Sequence, residues 1–193
     1  MAVPRIFPSS RRRSFQDLAR QFRRSEDGVT AIEFAVLATP FFALIAAILE
    51  TAIIFFAGHV LDSAVQDATR LVRTGQAQEA GFDAADFKER ICGRLYGLFD
   101  CDEIWLQVEE IDTFADAEGE IAATPLDPDC EAPCEWTIAE SYDDGVGSSI
   151  ILAQAYYKWP TIFNFGGFNL ADRADGSRLL ATVRVFRNEP FGG

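Results

Sequence analysis

The sequence is poor in the residue types and patterns that support catalysis. It has one histidine, His59, and contains no G-x-S-x-G, H-E-x-x-H, P-loop or glycine-rich dinucleotide-binding pattern. A Ser-His-Asp triad needs a histidine inside the catalytic domain, whereas His59 stands directly after a long apolar run. We therefore predict that the protein is not an enzyme and that it binds no cofactor.

Basic residues are absent between Arg94 and Lys158, a stretch that contains 16 Asp and Glu residues. This stretch argues against nucleic-acid binding, which depends on basic side chains that neutralise phosphates. We expect a solvated acidic face with a long loop. Calcium binding is the alternative, because Ca²⁺ prefers several carboxylates at close range. No D-x-[DN]-x-[DN]-G pattern is present, however, and we predict no metal site.

Charge differs sharply between the start of the chain and the rest. Residues 1–28 contain seven Arg against Asp17, Glu26 and Asp27, so their net charge is +4. The whole chain carries −13, which leaves −17 for residues 29–193. A basic start, an apolar run and an acidic remainder are typical of a membrane protein with a fixed orientation.

The apolar run extends from Phe34 to Phe56, and Glu50 is its only charged residue. Its 23 residues exceed the roughly 20 that a helix needs to cross a bilayer core. A secretory signal peptide is the competing interpretation, but its apolar region has only about 7–15 residues and precedes a small-residue cleavage site. The positive-inside rule places the arginine-rich side in the cytoplasm. We predict a single-pass protein of a bacterial inner membrane that is periplasmic from about Gly58 onward.

Two residues inside the run require explanation. Pro40 removes one backbone donor, which membrane helices tolerate, usually with a kink. Placing a charged side chain such as that of Glu50 at the bilayer centre costs about 2.5–3.5 kcal/mol or more. Two interpretations of Glu50 stay open: a carboxyl group near the outer interface, and a polar contact with another membrane helix.

The residues before the run resemble the processing site of type IV prepilins. A basic leader ends at Gly28, Glu33 follows five residues later, and the apolar helix comes next. Residues 27–75 also resemble the N-terminal segment of the TadE-like pseudopilins of tight-adherence systems. They share an E-F-A run, a proline-containing membrane helix, an I-L-E turn and a polar helix. The stretch ATVRVFRNEPF, residues 181–191, resembles the end of that family.

This resemblance implies cleavage between Gly28 and Val29 by a prepilin peptidase, so that Glu33 becomes the fifth residue of the mature chain. In pilins that carboxylate is thought to meet the α-amino group of a neighbouring subunit. Pairing offsets the cost of burying the two opposite charges. The simpler interpretation is that Gly28 ends an arm and that Glu33 is an acid at a helix N-terminus, where the helix dipole favours it.

The resemblance therefore implies a minor pilin or pseudopilin that acts in the assembly of a tight-adherence (Flp, type IVb) pilus. Its partners would be the peptidase, other pilins, the assembly platform and membrane lipid. Glu33, Pro40 and Glu50 are the candidate helix–helix contacts. The competing hypothesis is a membrane-tethered periplasmic binding module with no role in a pilus.

We predict three segments: a leader (1–28), a transmembrane helix (29–58) and a periplasmic α+β domain (59–193). Helical periodicity continues from the membrane as far as Thr74, with Gly75 as the stop. Its apolar face contains Leu61, Ala64, Ala68, Leu71 and Val72, and its polar face contains Asp62, Gln66, Asp67, Arg70 and Arg73.

The rest of the domain is predicted to be small and pilin-like. A second helix is expected from about Ala84 to Tyr96, with Asp83 as its N-cap. Alternating or β-rich stretches predict about three antiparallel strands, which would pack on the two helices. These strands are near residues 104–109, 149–159 and 180–186, and residues 172–177 read as the turn before the last strand.

The four cysteines all follow the predicted membrane helix, at positions Cys92, Cys101, Cys130 and Cys134. Four cysteines allow three pairings, and the sequence does not choose among them. Local pairing, Cys92 with Cys101 and Cys130 with Cys134, is the favoured hypothesis. Zinc is the alternative, but the spacings are C-x8-C and C-x3-C with no nearby histidine. Disulfides are the usual state of cysteines in an oxidising compartment.

Overall fold

The structure is a computed structural model that describes residues 28–122, 125–127, 130–162, 164–165 and 168–191. The chain divides into two compact units, residues 1–45 and residues 46–193. Within the described ranges the fold is α+β. Its elements in chain order are α1 (Val29–Arg73), α2 (Gln76–Ala80), α3 (Ala84–Cys92), a 3₁₀ turn (Cys101–Glu103), β1 (Trp105–Ile111), α4 (Asp116–Ala122), β2 (Ser141–Tyr142), β3 (Ile150–Pro160), β4 (Asn164–Phe165), β5 (Phe168–Asn169) and β6 (Ser177–Arg187).

Helix α1 contains 45 residues and continues past the apolar run, as predicted. Pro40 lies inside it. Thr39 and Thr51 each donate their hydroxyl group to the carbonyl oxygen four residues earlier, at 2.7 Å. These hydroxyl groups are therefore satisfied within the helix, as an apolar environment requires.

Glycine and turn residues end the helices of the domain. Gly75 adopts a left-handed conformation with φ 79° just after α1, which confirms the predicted stop. Asp83 is the N-cap of α3, and its carboxylate accepts the backbone N–H groups of Ala85 and Asp86 at 2.8 and 2.9 Å. Helix α3 ends at Cys92, four residues before the predicted end at Tyr96. Tyr96 and Gly97 both have positive φ, so the backbone turns away there.

The sheet has the strand order β2-β1-β3-β6 and is mostly antiparallel. Strands β1, β3 and β6 confirm the three that the sequence predicted. The expectation of an antiparallel sheet of about three strands needs one correction, because β2 adds a fourth strand that runs parallel to β1. Its two residues are too few to produce an alternating pattern, so only the contact with Gln107 and Val108 reveals it.

Strand β3 forms the centre of the domain and is buried on both faces from Ile150 to Tyr157. Its odd-numbered residues, among them Ala153 and Ala155, join the core that also contains the buried stripe of α1. Alanine side chains on the strand let the helix approach the sheet closely. The opposite face bears Tyr156, whose ring centroid lies 6.3 Å from that of Trp136 in the preceding loop.

The C-terminal residues form hydrogen bonds with the end of α1 and with the loop before β3. Asn188 is 2% exposed, and its amide donates to the carbonyl oxygens of Asp144 and Val146 at 2.9 and 3.1 Å. The backbone N–H of Glu189 donates to the carbonyl oxygen of Arg73 at 2.8 Å. This contact joins the last strand to the final turn of the long helix.

Two cysteine pairs lie at disulfide distance. The Cα atoms are 5.9 Å apart for Cys92 and Cys101, and 5.3 Å apart for Cys130 and Cys134. These are the two local pairs that the sequence analysis favours. In the part of the chain that the structure describes, no group of three or more His, Cys, Asp or Glu side chains is placed to hold a metal ion.

The packing of the C-terminal residues makes Gly147 a sensitive position. A Cβ atom there would lie 2.5 Å from the carbonyl oxygen of Phe191, whereas a Cβ atom at Gly119 in α4 would have nothing within 4 Å. We expect Gly147→Ala to lower the free energy of unfolding by about 1–3 kcal/mol. Gly119→Ala, the matched control, should raise it by about 0.5–1 kcal/mol. Thermal unfolding of the full chain in detergent measures both, and equal effects would contradict the tight contact at Gly147.

Candidate functional site: the apolar helix and its junction with the domain

The N-terminal part of α1 exposes almost only apolar side chains. Its most apolar 18-residue window has a mean hydropathy of 2.3 and is only 11% buried. The core helix of a soluble domain would be mostly buried, so by length and composition this helix can cross a membrane. The exposed large apolar residues are Val29, Ile32, Phe34, Val36, Leu37, Phe41, Phe42, Leu44, Ile45, Ile48, Leu49, Ile53, Phe55 and Phe56.

The predicted processing site lies at the start of this helix. Gly28 directly precedes α1 and Val29 is its first residue, so the predicted cleavage point coincides with the helix start. Glu33 and Pro40 are both exposed. The arginine-rich leader lies outside the described residues. The roles assigned to these residues stay predictions.

Glu50 contacts the domain that follows the helix. Its Oε1 atom accepts the backbone N–H of Ile162 at 2.5 Å. Ile162 belongs to the segment just after β3 and is separated from Glu50 by 112 residues. Neither open interpretation of Glu50 included this contact, because no local pattern in the sequence signals a partner so far along the chain. A contact of Glu50 with a neighbouring membrane helix stays a prediction.

From Ile54 onward one side of α1 is buried against the domain. The predicted apolar face is confirmed, except that Leu71 is only partly buried. The spacing of three and four residues is that of a helix with one buried stripe. The stripe consists of Ile54, Ala57, Leu61, Ala64, Val65, Ala68, Thr69 and Val72.

Asp62 connects this part of α1 to the last strand. Thr182 donates its hydroxyl group to Asp62 Oδ1 at 2.6 Å, and Arg184 Nη2 donates to Oδ2 at 2.6 Å. Thr182 is 5% exposed. The sequence analysis placed Asp62 on the polar face of α1 and did not predict these two partners. The register of β3 and β6 pairs Thr182 and Arg184 with the helix-facing Ala155 and Ala153, so both side chains face the helix.

A recess of about 300 Å³ lies beside the same part of α1. One wall is the helix and the other is the segment around β5 and β6, where Arg178 Nη1 donates to the carbonyl oxygen of Leu170 at 3.0 Å. The recess combines an apolar surface with two basic side chains. It is lined by Thr51, Ile54, Phe55, Gly58, His59, Leu170 and Arg178.

Hydrogen bonds stabilise the turn that leads into β6. Burial acts to raise the pKa of Asp175, but the hydroxyl and backbone N–H groups of Ser177 donate to its carboxylate at 2.6 and 3.0 Å. These bonds outweigh the burial, and the pKa of Asp175 lies below its ordinary value. Asp175 is therefore ionised at neutral pH.

The geometry identifies the class of protein: one helix that is apolar enough to cross a membrane and that continues into a small α+β domain. Residues 28–70 match the family model described as TadE-like protein, which confirms the family resemblance over that segment. The match starts at Gly28 and covers most of α1. No curated protein and no solved structure matches this chain. The likeness of residues 181–191 to the end of the family stays a prediction.

The carboxylate of Asp62 is expected to matter more for stability than its neighbour on the same helix. Asp67 pairs with Arg94 at 3.6 Å, and both side chains are more than half exposed. We expect Asp62→Ala to lower the free energy of unfolding by about 1–3 kcal/mol, because Thr182 and Arg184 lose their acceptor. Asp67→Ala should change it by less than about 0.5 kcal/mol. Denaturant unfolding of the full chain in detergent measures both, and equal losses would argue against a special role of Asp62.

Proposed function

We propose that this protein is a TadE-like minor pilin or pseudopilin that acts in the assembly of a tight-adherence (Flp) pilus. The observation that carries the proposal is the family match over residues 28–70. That segment begins at the predicted processing site and contains the exposed apolar helix. In this proposal the leader is cytoplasmic, α1 spans the inner membrane, and the domain lies in the periplasm.

Processing prepares the helix for assembly. Cleavage after Gly28 leaves the new α-amino group on Val29, the first residue of α1. Glu33 is four residues further on, so the amine and the carboxylate share one face of the helix. If neighbouring helices are shifted by about one turn, roughly 5.4 Å, the amine of one subunit meets Glu33 of the next. Each charge then neutralises the other in a poorly hydrated place.

Packing of the apolar helices drives the association. Lipid tails are as apolar as the helix surface, so the hydrophobic effect contributes little, and small residues that permit close approach become important. Ala31, Ala35 and Ala38 follow each other at intervals of four and three residues near Glu33. These three residues share one face of the helix, and Glu33 lies on the opposite face.

The domain moves with the helix because the junction is firmly packed. The buried stripe from Ile54 to Val72 and the contacts of Asp62 join the helix to the sheet. A displacement of the helix during assembly therefore also displaces the domain and the surface that it presents to other subunits. The function requires contacts and no chemical step on the domain.

Removal of the leader is the first test. When the full chain is produced together with a prepilin peptidase, we expect a mature protein that starts at Val29, as measured by intact mass. Gly28→Val should remain uncut, because it changes the residue whose carbonyl is attacked. Gly58→Val, the matched control within the same helix, should be cut normally. An intact leader on the unaltered chain would favour the tethered binding module instead.

The role of Glu33 requires a separate experiment. Glu33→Ala should insert in the membrane and lose its leader normally, yet reduce the number of pili about tenfold, the effect of losing about 1.4 kcal/mol of pairing energy. Glu79→Ala removes an acid from the exposed surface of α2 and should leave pilus number unchanged. Electron microscopy of whole cells provides the count. Normal piliation by Glu33→Ala would show that this carboxylate does not align subunits.

A further inference from the structure

We propose that the segment around Ile162 enters the outer leaflet of the membrane beside α1, in contact with phospholipid acyl chains, and that Glu50 holds it there. This inference rests on the proposed membrane insertion of α1. It adds a second membrane contact, made by the domain itself.

The depth of the segment follows from its contact with the helix. The backbone N–H of Ile162 donates to Glu50, and Glu50 precedes Phe56, the end of the apolar run, by six residues. At 1.5 Å per residue, Ile162 then lies roughly 9 Å below the end of the run. Elements that lie in the interface bury their apolar side by about 5–10 Å.

The helix surface on the domain side of Glu50 supports this depth. Ile53, Phe55 and Phe56 are 52%, 66% and 59% exposed. If the lipid ended at Glu50, these three large side chains would lie in water. A boundary near Gly58 and His59 covers them with lipid, and the same boundary places Ile162 on the lipid side.

The composition of the segment agrees with a lipid environment. Residues 159–171 contain no charged side chain, although residues 29–193 carry a net charge of −17. The sequence of this stretch contains phenylalanine at positions 163, 165 and 168. Aromatic side chains are enriched at membrane interfaces. Ile162 itself is 92% exposed, so its side chain is accessible to lipid.

Two backbone N–H groups at the start of the segment have acceptors, as insertion into lipid requires. Both the N–H and the hydroxyl group of Thr161 donate to the carbonyl oxygen of Gly176, at 3.3 and 2.7 Å. The next N–H, that of Ile162, is the one that Glu50 accepts. In lipid, this bond provides a partner for the carboxylate and for the amide at the same time.

The recess beside the helix has both an apolar and a basic lining. Ile54, Phe55 and Leu170 contribute its apolar lining, while His59 and Arg178 contribute basic groups. A long basic side chain such as that of Arg178 can place its charge at the level of the headgroups. The recess is therefore suited to the boundary between acyl chains and headgroups that the proposal puts at His59.

Fluorescence quenching tests the position of Ile162. We would introduce Ile162→Cys into the full chain, label it with an environment-sensitive fluorophore, and reconstitute the protein in phosphatidylethanolamine and phosphatidylglycerol vesicles. The native cysteines are paired at disulfide distance and should not react. Val146→Cys, at a 68% exposed site of the domain, is the matched control, and Ile48→Cys reports on the helix.

We expect acyl-brominated lipid to quench the labels at positions 162 and 48 at least twofold more than the label at position 146. Aqueous iodide should quench the label at position 146 most. If brominated lipid quenches the label at position 48 but the label at position 162 is quenched like that at position 146, the inference is wrong. The proposed membrane insertion of α1 would still be supported. If position 48 is also open to iodide, the proposed membrane insertion fails and the inference fails with it.

Substitutions at Glu50 test its part in holding the segment. Ile162→Cys keeps the backbone N–H, so the contact with Glu50 is retained in the labelled protein. Glu50→Gln keeps an oxygen acceptor and should leave the quenching at position 162 unchanged, whereas Glu50→Ala removes the acceptor and should at least double its quenching by iodide. Equal quenching in both variants would show that Glu50 does not hold the segment.

Discussion

The structure depends on one continuous helix that meets two different surroundings. Up to Phe56 the helix exposes large apolar side chains, and from Ile54 onward one stripe of it is buried against the sheet. The exposed part is stable only in an apolar environment or against other helices, because in water its surface would promote association. The buried part contributes seven apolar residues, between Ile54 and Val72, to the core of the domain. This transition therefore separates the exposed apolar surface of the helix from the part that belongs to the core of the domain.

Two carboxylates stabilise the helix on either side of the transition. Glu50 accepts a backbone N–H from the segment after β3, and Asp62 accepts donors from Thr182 and Arg184 on β6. Each bond gives a partly exposed carboxylate a partner and joins the helix to a distant element. Together with the apolar stripe, these bonds join this part of the helix to the sheet.

The sequence predicted the parts of the fold that have a local pattern. The apolar run, the glycine stop at Gly75, the N-cap Asp83 and strands β1, β3 and β6 all follow from periodicity or from the chemistry of a turn. Helices α2 and α4, strand β2 and the paired strands β4 and β5 were not predicted, because none of them carries a periodic pattern of apolar residues.

The sequence alone determined the family resemblance, the capacity to cross a membrane and the single buried face of the helix, since each of these is a property of consecutive residues. Only the tertiary structure decided which partners Glu50 and Asp62 have. Those partners lie 112 to 122 residues away, and the register of β3 against β6 and the path of the chain after β3 determine them. A side chain's polarity shows that it needs a partner, but only the packed fold brings a particular donor within hydrogen-bonding distance.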